Sequence, residues 1–243
     1  MFFDPIYWLI IGVGALLGFG ASALVKLQFS RAAKVTLRSG RTGRDIAQAI
    51  LDAEGITDVG IVENPGFLSD HYNPMTKTLA LSPQVYNGRT AAAAGVAAHE
   101  VGHALQHAHG YAPMWLRSVL VPVANIGSSI APWLIIIGIF LGASASLPGE
   151  PVQPHLVAII GVVLFGAATA FTLITVPVEF DASARAKRIL MNMGLIQAGE
   201  EQAAVRGVLT AAGLTYVAAA VTSLLHLLYW AWRAGLLGGG RRA

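Results

Sequence analysis

Long apolar stretches alternate with shorter polar regions along the chain. Residues 6–25 carry no charge and are long enough to cross the roughly 30 Å hydrocarbon core of a bilayer as a helix. Further apolar spans fall at about 131–145, 156–178 and 209–232. The first of these three follows an apolar segment from Met114 that Pro122 and Pro132 interrupt, so a membrane-embedded or kinked stretch is expected there. The pattern predicts a mainly α, polytopic membrane protein with about four transmembrane helices.

The polar regions between these spans divide the rest of the chain. Residues 1–26 are predicted to form the N-terminal transmembrane helix, 27–112 a polar region, 113–178 a membrane hairpin, 179–207 a polar helix, and 208–243 the last span with its tail. Thr42 and Asp45 have the spacing of a helix capping box. Val59 and Ile61, and further on Phe67 and Leu68, suggest strands.

A turn at 73–76 followed by a short apolar run at 78–81 predicts a β-hairpin. It lies just before the alanine-rich segment 89–107, which should be helical. A free hairpin edge near 66–72 would be able to hold an extended peptide by strand addition. The expected architecture is therefore a helical membrane protein with a small α+β region.

Composition strengthens the membrane assignment. Of the 243 residues, 55% are hydrophobic and 12% charged, about half the charged fraction of soluble domains. The net charge is only +3, and the basic residues cluster beside the spans, which indicates membrane topology and argues against nucleic-acid binding. There is no cysteine, which excludes disulfides, thiolate metal ligands and a cysteine nucleophile.

The positive-inside rule gives an orientation. Basic residues follow the first span, and Arg185, Lys187 and Arg188 follow the third, so both polar regions are expected in the cytoplasm. The segment 147–154 carries Glu150 and no basic residue, as an external loop should, although Arg241 and Arg242 of the tail then fall outside against the rule. We therefore expect a multi-pass protein of a bacterial-type plasma (inner) membrane.

The alanine-rich helix contains His99-Glu-Val-Gly-His103. Residues four apart share a helix face, so the two imidazoles can bind one Zn²⁺, with Glu100 beside it as a candidate general base for the water. Gly95 and Gly102 weaken this helix, which indicates that another element packs closely against it. The motif predicts a zinc site with one ion per chain and Glu100 as the catalytic residue.

A third ligand can be sought by elimination, because acids are rare downstream. Glu150 is expected across the membrane, and Glu200 and Glu201 resemble acids at a helix N-terminus, which leaves Glu179 as the preferred ligand. Asp181 lies close by. A competing ligand is His109, ten residues after His99, but that arrangement requires a glycine where this chain has Gln106.

With these residues the chain resembles the YugP-like family of zinc-dependent membrane metallopeptidases and, more distantly, the HtpX-type membrane proteases. The resemblance covers nearly the whole length. The residues that carry it lie at 69–74, 81–82, 96–107, 110–113 and 177–183. It implies a small zincin-like region, a hairpin before the zinc helix, and a downstream glutamate as ligand. In the distant relatives an aspartate follows that glutamate by four residues; here Ser183 holds that position, and Asp181 becomes the candidate partner of a zinc ligand.

The expected activity is zinc-dependent peptide hydrolysis by a metalloendopeptidase at the bilayer, acting on a peptide or protein substrate. A donor for the developing oxyanion is also needed, and the candidates are His71, Tyr72, Tyr111 and Arg185. The alternatives are a non-catalytic membrane chaperone or structural protein that keeps a metal site, and a zinc transporter or metal sensor. A transporter should carry acids and histidines within its spans, and these spans have almost none. The sequence leaves the natural substrate and the oligomeric state open.

Overall fold

The computed structural model describes residues 4–145 and 155–237. The predicted loop at 147–154, with Glu150, and the arginines of the tail lie outside these described residues. Helices dominate the described part, and one small sheet interrupts them. The elements are α1 Pro5–Ala32, α2 Gly43–Ala53, β1 Gly60–Glu63, β2 His71–Asn73, β3 Thr78–Leu81, α3 Pro83–Tyr86, α4 Ala91–Ala108, α5 Ala112–Ala145, α6 Leu156–Asn192 and α7 Glu200–Arg233.

Four of these helices, α1, α5, α6 and α7, are long and apolar enough to cross a membrane. This confirms the predicted number of spans. Their lengths differ from the prediction, because α1 does not end at the basic residues after position 25 but continues through Lys26 and Arg31. Likewise, α7 is one continuous helix from its acidic first turn to its aromatic end.

The membrane-embedded or kinked stretch predicted before position 131 is helical and joins the following span without a break. Pro122 and Pro132 both lie inside α5, which runs unbroken from Ala112 to Ala145. A proline removes one backbone donor, but in an apolar setting the remaining amides have no alternative to the helical ladder. Ser128 and Ser129 donate their hydroxyls to the Asn125 carbonyl within the helix. The prolines therefore do not divide α5 into two elements.

The chain separates into two compact units. One contains residues 19–115 and 176–216; the other contains the described residues of 1–18, 116–175 and 217–243. In the second of these, Asp4 accepts hydrogen bonds from the Ile6 amide and the Tyr229 hydroxyl. Tyr229 and Trp230 are buried beside Tyr7. These aromatic side chains at the C-terminal end of α7 thus pack inward within this unit.

The unit formed by 19–115 and 176–216 carries the motif helix. Its sheet has the order β1-β3-β2, with β1 parallel and β2 antiparallel to β3, so the predicted hairpin is present. Phe67 and Leu68 are not in a strand; they lie in the loop between β1 and β2, where Leu68 has a φ of 53°. The capping box of Thr42 and Asp45 is formed as predicted at the start of α2.

Helix α4 is the centre of this unit. All of its residues from Ala91 to Gln106 are buried except Val96. A Cβ placed on Gly102 would come within 2.7 Å of the Ala182 carbonyl oxygen in α6, and one on Gly95 would meet Val205 of α7 at 3.4 Å. The close packing expected from the two glycines is confirmed. It brings the backbones of α4 and α6 close enough for side chains of both helices to share one site.

Candidate metal centre

His99, His103 and Glu179 converge in the interior of this unit. The two histidines lie one turn apart on α4, and the glutamate comes from the facing helix α6. The Oε2 atom of Glu179 lies 3.2 Å from Nε2 of His99 and 3.5 Å from Nε2 of His103. One ligand atom from each residue lies within 4.8 Å of the others, and Glu179 is only 2% exposed. This group of side chains could hold a metal ion.

The spacing is compatible with zinc. Ligand atoms about 2.0–2.2 Å from a tetrahedral Zn²⁺ lie about 3.3–3.5 Å from one another. The two measured nitrogen–oxygen distances, 3.2 and 3.5 Å, agree with this spacing. Two imidazoles and one carboxylate also form a donor set found in catalytic zinc sites, which keep a fourth position for water.

The other nitrogen of each imidazole is held by a neutral side chain. Nδ1 of His99 lies 3.1 Å from the Ser183 hydroxyl, and Nδ1 of His103 lies 3.0 Å from the Gln106 side-chain oxygen. A histidine that donates from Nδ1 keeps the lone pair of Nε2 for a metal. Both imidazoles thus turn Nε2 towards Glu179.

The hydrogen bonds of Gln106 determine which nitrogen of His103 carries the proton. Its amide nitrogen donates to the Val178 carbonyl at 2.8 Å and to the Asp181 carboxylate at 2.9 Å. Both partners are acceptors, so the amide can take only this orientation, and its oxygen must face His103. The proton shared with that oxygen therefore resides on Nδ1 of His103, and Nε2 carries none when the imidazole is neutral.

Asp181 is itself held in place. Nε of Arg185, one turn further along α6, donates to its carboxylate at 2.6 Å. The guanidinium of Arg185 lies over the Tyr111 ring, 5.7 Å from its centroid, in a cation–π contact. Asp181 therefore reaches His103 through Gln106 rather than directly.

The charges of the site favour a bound cation. Burial disfavours the imidazolium form of His103, but the hydrogen bond to Glu179 and the negative charge of Glu100 outweigh it and raise the pKa of His103. In the absence of a metal, a proton on His103 balances the same negative charge. A metal ion must therefore compete with this proton for the site.

Glu100 lies at the edge of the site. Its side chain is buried and, with that of His99, forms part of the wall of a cavity of about 370 Å³. The rest of the wall comes from Val96 of α4 and from α1, α7 and the loop before β2. Glu100 thus adjoins both a histidine of the site and a space large enough for a ligand.

The other predicted residues lie elsewhere in the same unit. The Tyr72 hydroxyl is 2.9 Å from Nδ1 of His107, and His71 is exposed with its Nδ1 2.9 Å from the Ser69 carbonyl. Neither these residues nor Tyr111 and Arg185 are among those that line the cavity. His109 is the C-cap of α4 and is not part of the His-His-Glu group.

Two residues of the site were not predicted from the sequence. Gln106 follows His99 by seven residues and His103 by three, which places it on the ligand face of α4. Ser183 follows Glu179 by four and lies on the ligand face of α6 by the same rule. A search for polar residues at helical spacing from each candidate ligand would have found both.

Comparison with known proteins identifies the family. The chain matches the family described as "Putative neutral zinc metallopeptidase" over residues 7–235. The chain belongs to this family. A curated relative, "Putative membrane protease YugP" of Bacillus subtilis (strain 168), is 47% identical over 212 residues, which cover 87% of this chain and 89% of the relative. No solved structure matches the chain. A member of a zinc metallopeptidase family with four apolar helices is a membrane protein whose expected substrates are peptides.

Proposed function

We propose that this protein is an integral-membrane zinc metalloendopeptidase that holds one zinc ion per chain through His99, His103 and Glu179. The observation that carries the proposal is the buried His-His-Glu group, in which both Nδ1 atoms are engaged and both Nε2 atoms point to one carboxylate. Zinc in such a site would polarise the scissile carbonyl and lower the pKa of water. Membership of the zinc metallopeptidase family supports this choice of metal.

In this proposal Glu100 is the general base. Its carboxylate accepts a proton from the attacking water and donates it to the leaving amine. Its position next to His99 in the chain, on the wall of the cavity, supports this role. Gln106 and Ser183 orient the two imidazoles, while Asp181 and Arg185 hold Gln106 in place.

The reaction can be tested on the purified full-length protein in detergent. We expect cleavage of casein or of a mixed peptide pool, loss of cleavage after 1,10-phenanthroline treatment, and recovery on addition of zinc. Recovery is expected because the three ligands are preformed by α4 and α6. Cleavage that persists after the zinc has been removed, or a zinc-loaded protein that cleaves no peptide, would argue against a zinc peptidase.

The role of Gln106 leads to a second prediction. Gln106→Leu should weaken zinc binding by about 10- to 100-fold, because Nδ1 of His103 and the two acceptors in α6 all lose their partner. Zinc affinity is measured by competition with a chromogenic chelator. Gln84→Leu, at an exposed position of α3, is the matched control and should bind zinc like the wild type. Equal zinc affinity in both variants would show that Gln106 has no part in holding the site.

We further propose that the site faces the cytoplasm. The basic residues at 26–44 and 185–188 support this orientation through the positive-inside rule. Since the chain has no cysteine, single-cysteine variants need no further changes. Met75→Cys, on the exposed β2–β3 turn, should react with an impermeant maleimide only after the cells are permeabilised. Gly149→Cys, between α5 and α6, should react in intact cells; the opposite labelling pattern would reverse the orientation.

A further inference from the structure

The cavity beside Glu100 has the size of a ligand pocket. At about 370 Å³ it lies within the 300–1,000 Å³ that small-molecule and side-chain pockets usually occupy. Its wall includes His99 and Glu100, so anything bound there lies next to the proposed metal site. The zinc chemistry uses only this edge of the cavity, and the remaining volume has no role in that chemistry.

The rest of the wall is largely apolar by area, although Lys26, Ser22, Thr215 and Tyr216 also line it. Val25 and Phe29 of α1 face the cavity, as do Val208, Leu209 and Ala212 of α7. These side chains can remove the apolar surface of a bound group from water, which is the main source of affinity in such pockets.

The acidic group opposite them does not compete for a ligand. Asp70 also lines the cavity, but its carboxylate accepts from the Ser82 amide at 2.7 Å and from the Ser82 hydroxyl at 3.0 Å. Burial raises the pKa of Asp70, against the effect of these two hydrogen bonds. With both its oxygens engaged, Asp70 serves the junction of β3 and α3.

One residue of the cavity wall has a strained backbone. Leu68 lines it with φ at 53°, a left-handed conformation that is unusual for a bulky side chain. The loop is held by two hydrogen bonds between Asn64 and Ser69, and the Phe67 ring packs edge-on against Phe29 at 5.5 Å. The unfavourable backbone conformation occurs where a leucine side chain completes an apolar wall.

We propose that this cavity is a specificity subsite that receives a large apolar side chain, such as Phe, Leu or Met, next to the scissile bond of the substrate. The proposal rests on the zinc peptidase function proposed above. It assigns the substrates to peptides with a hydrophobic residue at one fixed position.

The test uses the zinc-loaded full-length protein in detergent. Its substrates are quenched fluorescent peptides that are identical except for one central residue, which is Phe, Trp, Leu or Ala. We expect kcat/KM for Phe and Leu to exceed that for Ala by about 10- to 100-fold. Ala212→Phe fills the cavity from α7 and should remove most of this preference while zinc is retained. Ala203→Phe, at an exposed position of the same helix outside the cavity, is the matched control.

A second variant tests the same cavity in case Ala212→Phe does not fold. Leu68→Gly suits the left-handed backbone and widens the cavity, so the preference should shift from Phe towards Trp. If Ala212→Phe and Ala203→Phe keep the same Phe preference, and Leu68→Gly does not change it, the subsite proposal is overturned. Such a result would mean that apolar peptides are favoured only because they partition into the micelle.

A peptide-binding measurement distinguishes a failure of the subsite proposal from a failure of the proposed peptidase function. The labelled Phe and Ala peptides are titrated against zinc-loaded Glu100→Gln protein by fluorescence anisotropy. Tighter binding of the Phe peptide that Ala212→Phe removes would support the subsite even if the wild type cleaved nothing. Cleavage by the wild type without any residue preference would leave the peptidase function standing and reject the subsite.

Discussion

Glu100→Gln should lower kcat/KM for peptide cleavage by at least about 10²- to 10⁴-fold while zinc remains bound. Glutamine has nearly the shape of glutamate, so the buried position next to His99 stays filled. The amide cannot accept the proton of the attacking water, and the proposed mechanism has no other base. Zinc should be retained because Glu100 is not one of the three residues whose ligand atoms converge.

The measurement combines a peptide assay with zinc analysis after dialysis of the same sample. Glu54→Gln is the matched control, since Glu54 is the exposed C-cap of α2 and lies far from the site in sequence. It should retain both activity and zinc. A Glu100→Gln protein that cleaves at the wild-type rate would exclude Glu100 as the base.

The parts of the site that the sequence could predict follow from helix geometry and from the scarcity of charge. The period of an α-helix is enough to place His99 and His103 on one face. Glu179 could be chosen because a protein with 12% charged residues offers few acids at the end of a span. Glu201, which was set aside as a helix N-terminal acid, indeed accepts from the backbone amides of Arg38 and Gln197.

The parts that the sequence could not predict depend on how the helices pack. Helical spacing could place Gln106 and Ser183 on the ligand faces of their helices, but nothing in the sequence says which residue of the facing helix each one will contact. Their contacts exist because Gly102 allows α4 to approach Ala182 of α6. The spacing within α4 could place Gln106 on the correct face, but it could not give its partner in α6, Asp181.

The cavity was unpredictable for a different reason. Its apolar wall comes from α1 and α7, which are separated by most of the chain. In the sequence these apolar residues cannot be distinguished from those that face lipid, because hydrophobicity is required in both places. The strained conformation of Leu68 is also invisible in the sequence, since a leucine in this conformation is uncommon.

Glu179→Ala should lose zinc during dialysis, whereas His109→Ala should keep it. Glu179 supplies the only carboxylate of the converging group, and its side chain is almost fully buried between the two imidazoles. Loss of a residue that only orients a ligand typically costs 10- to 100-fold in metal affinity, and loss of a ligand itself should cost more. His109 is exposed at the end of α4 and contributes nothing to this group.

Two further variants separate ligation from folding. Glu179→Gln preserves the packing of the buried side chain but removes the charge, so it should also bind zinc more weakly than the wild type. Glu201→Gln alters another buried glutamate of the same unit, one that caps backbone amides, and should lower thermal stability without changing zinc content. Zinc that is retained in Glu179→Ala and lost in His109→Ala would instead indicate a three-histidine site. In that case His109, at the end of α4, would be the third ligand beside His99 and His103.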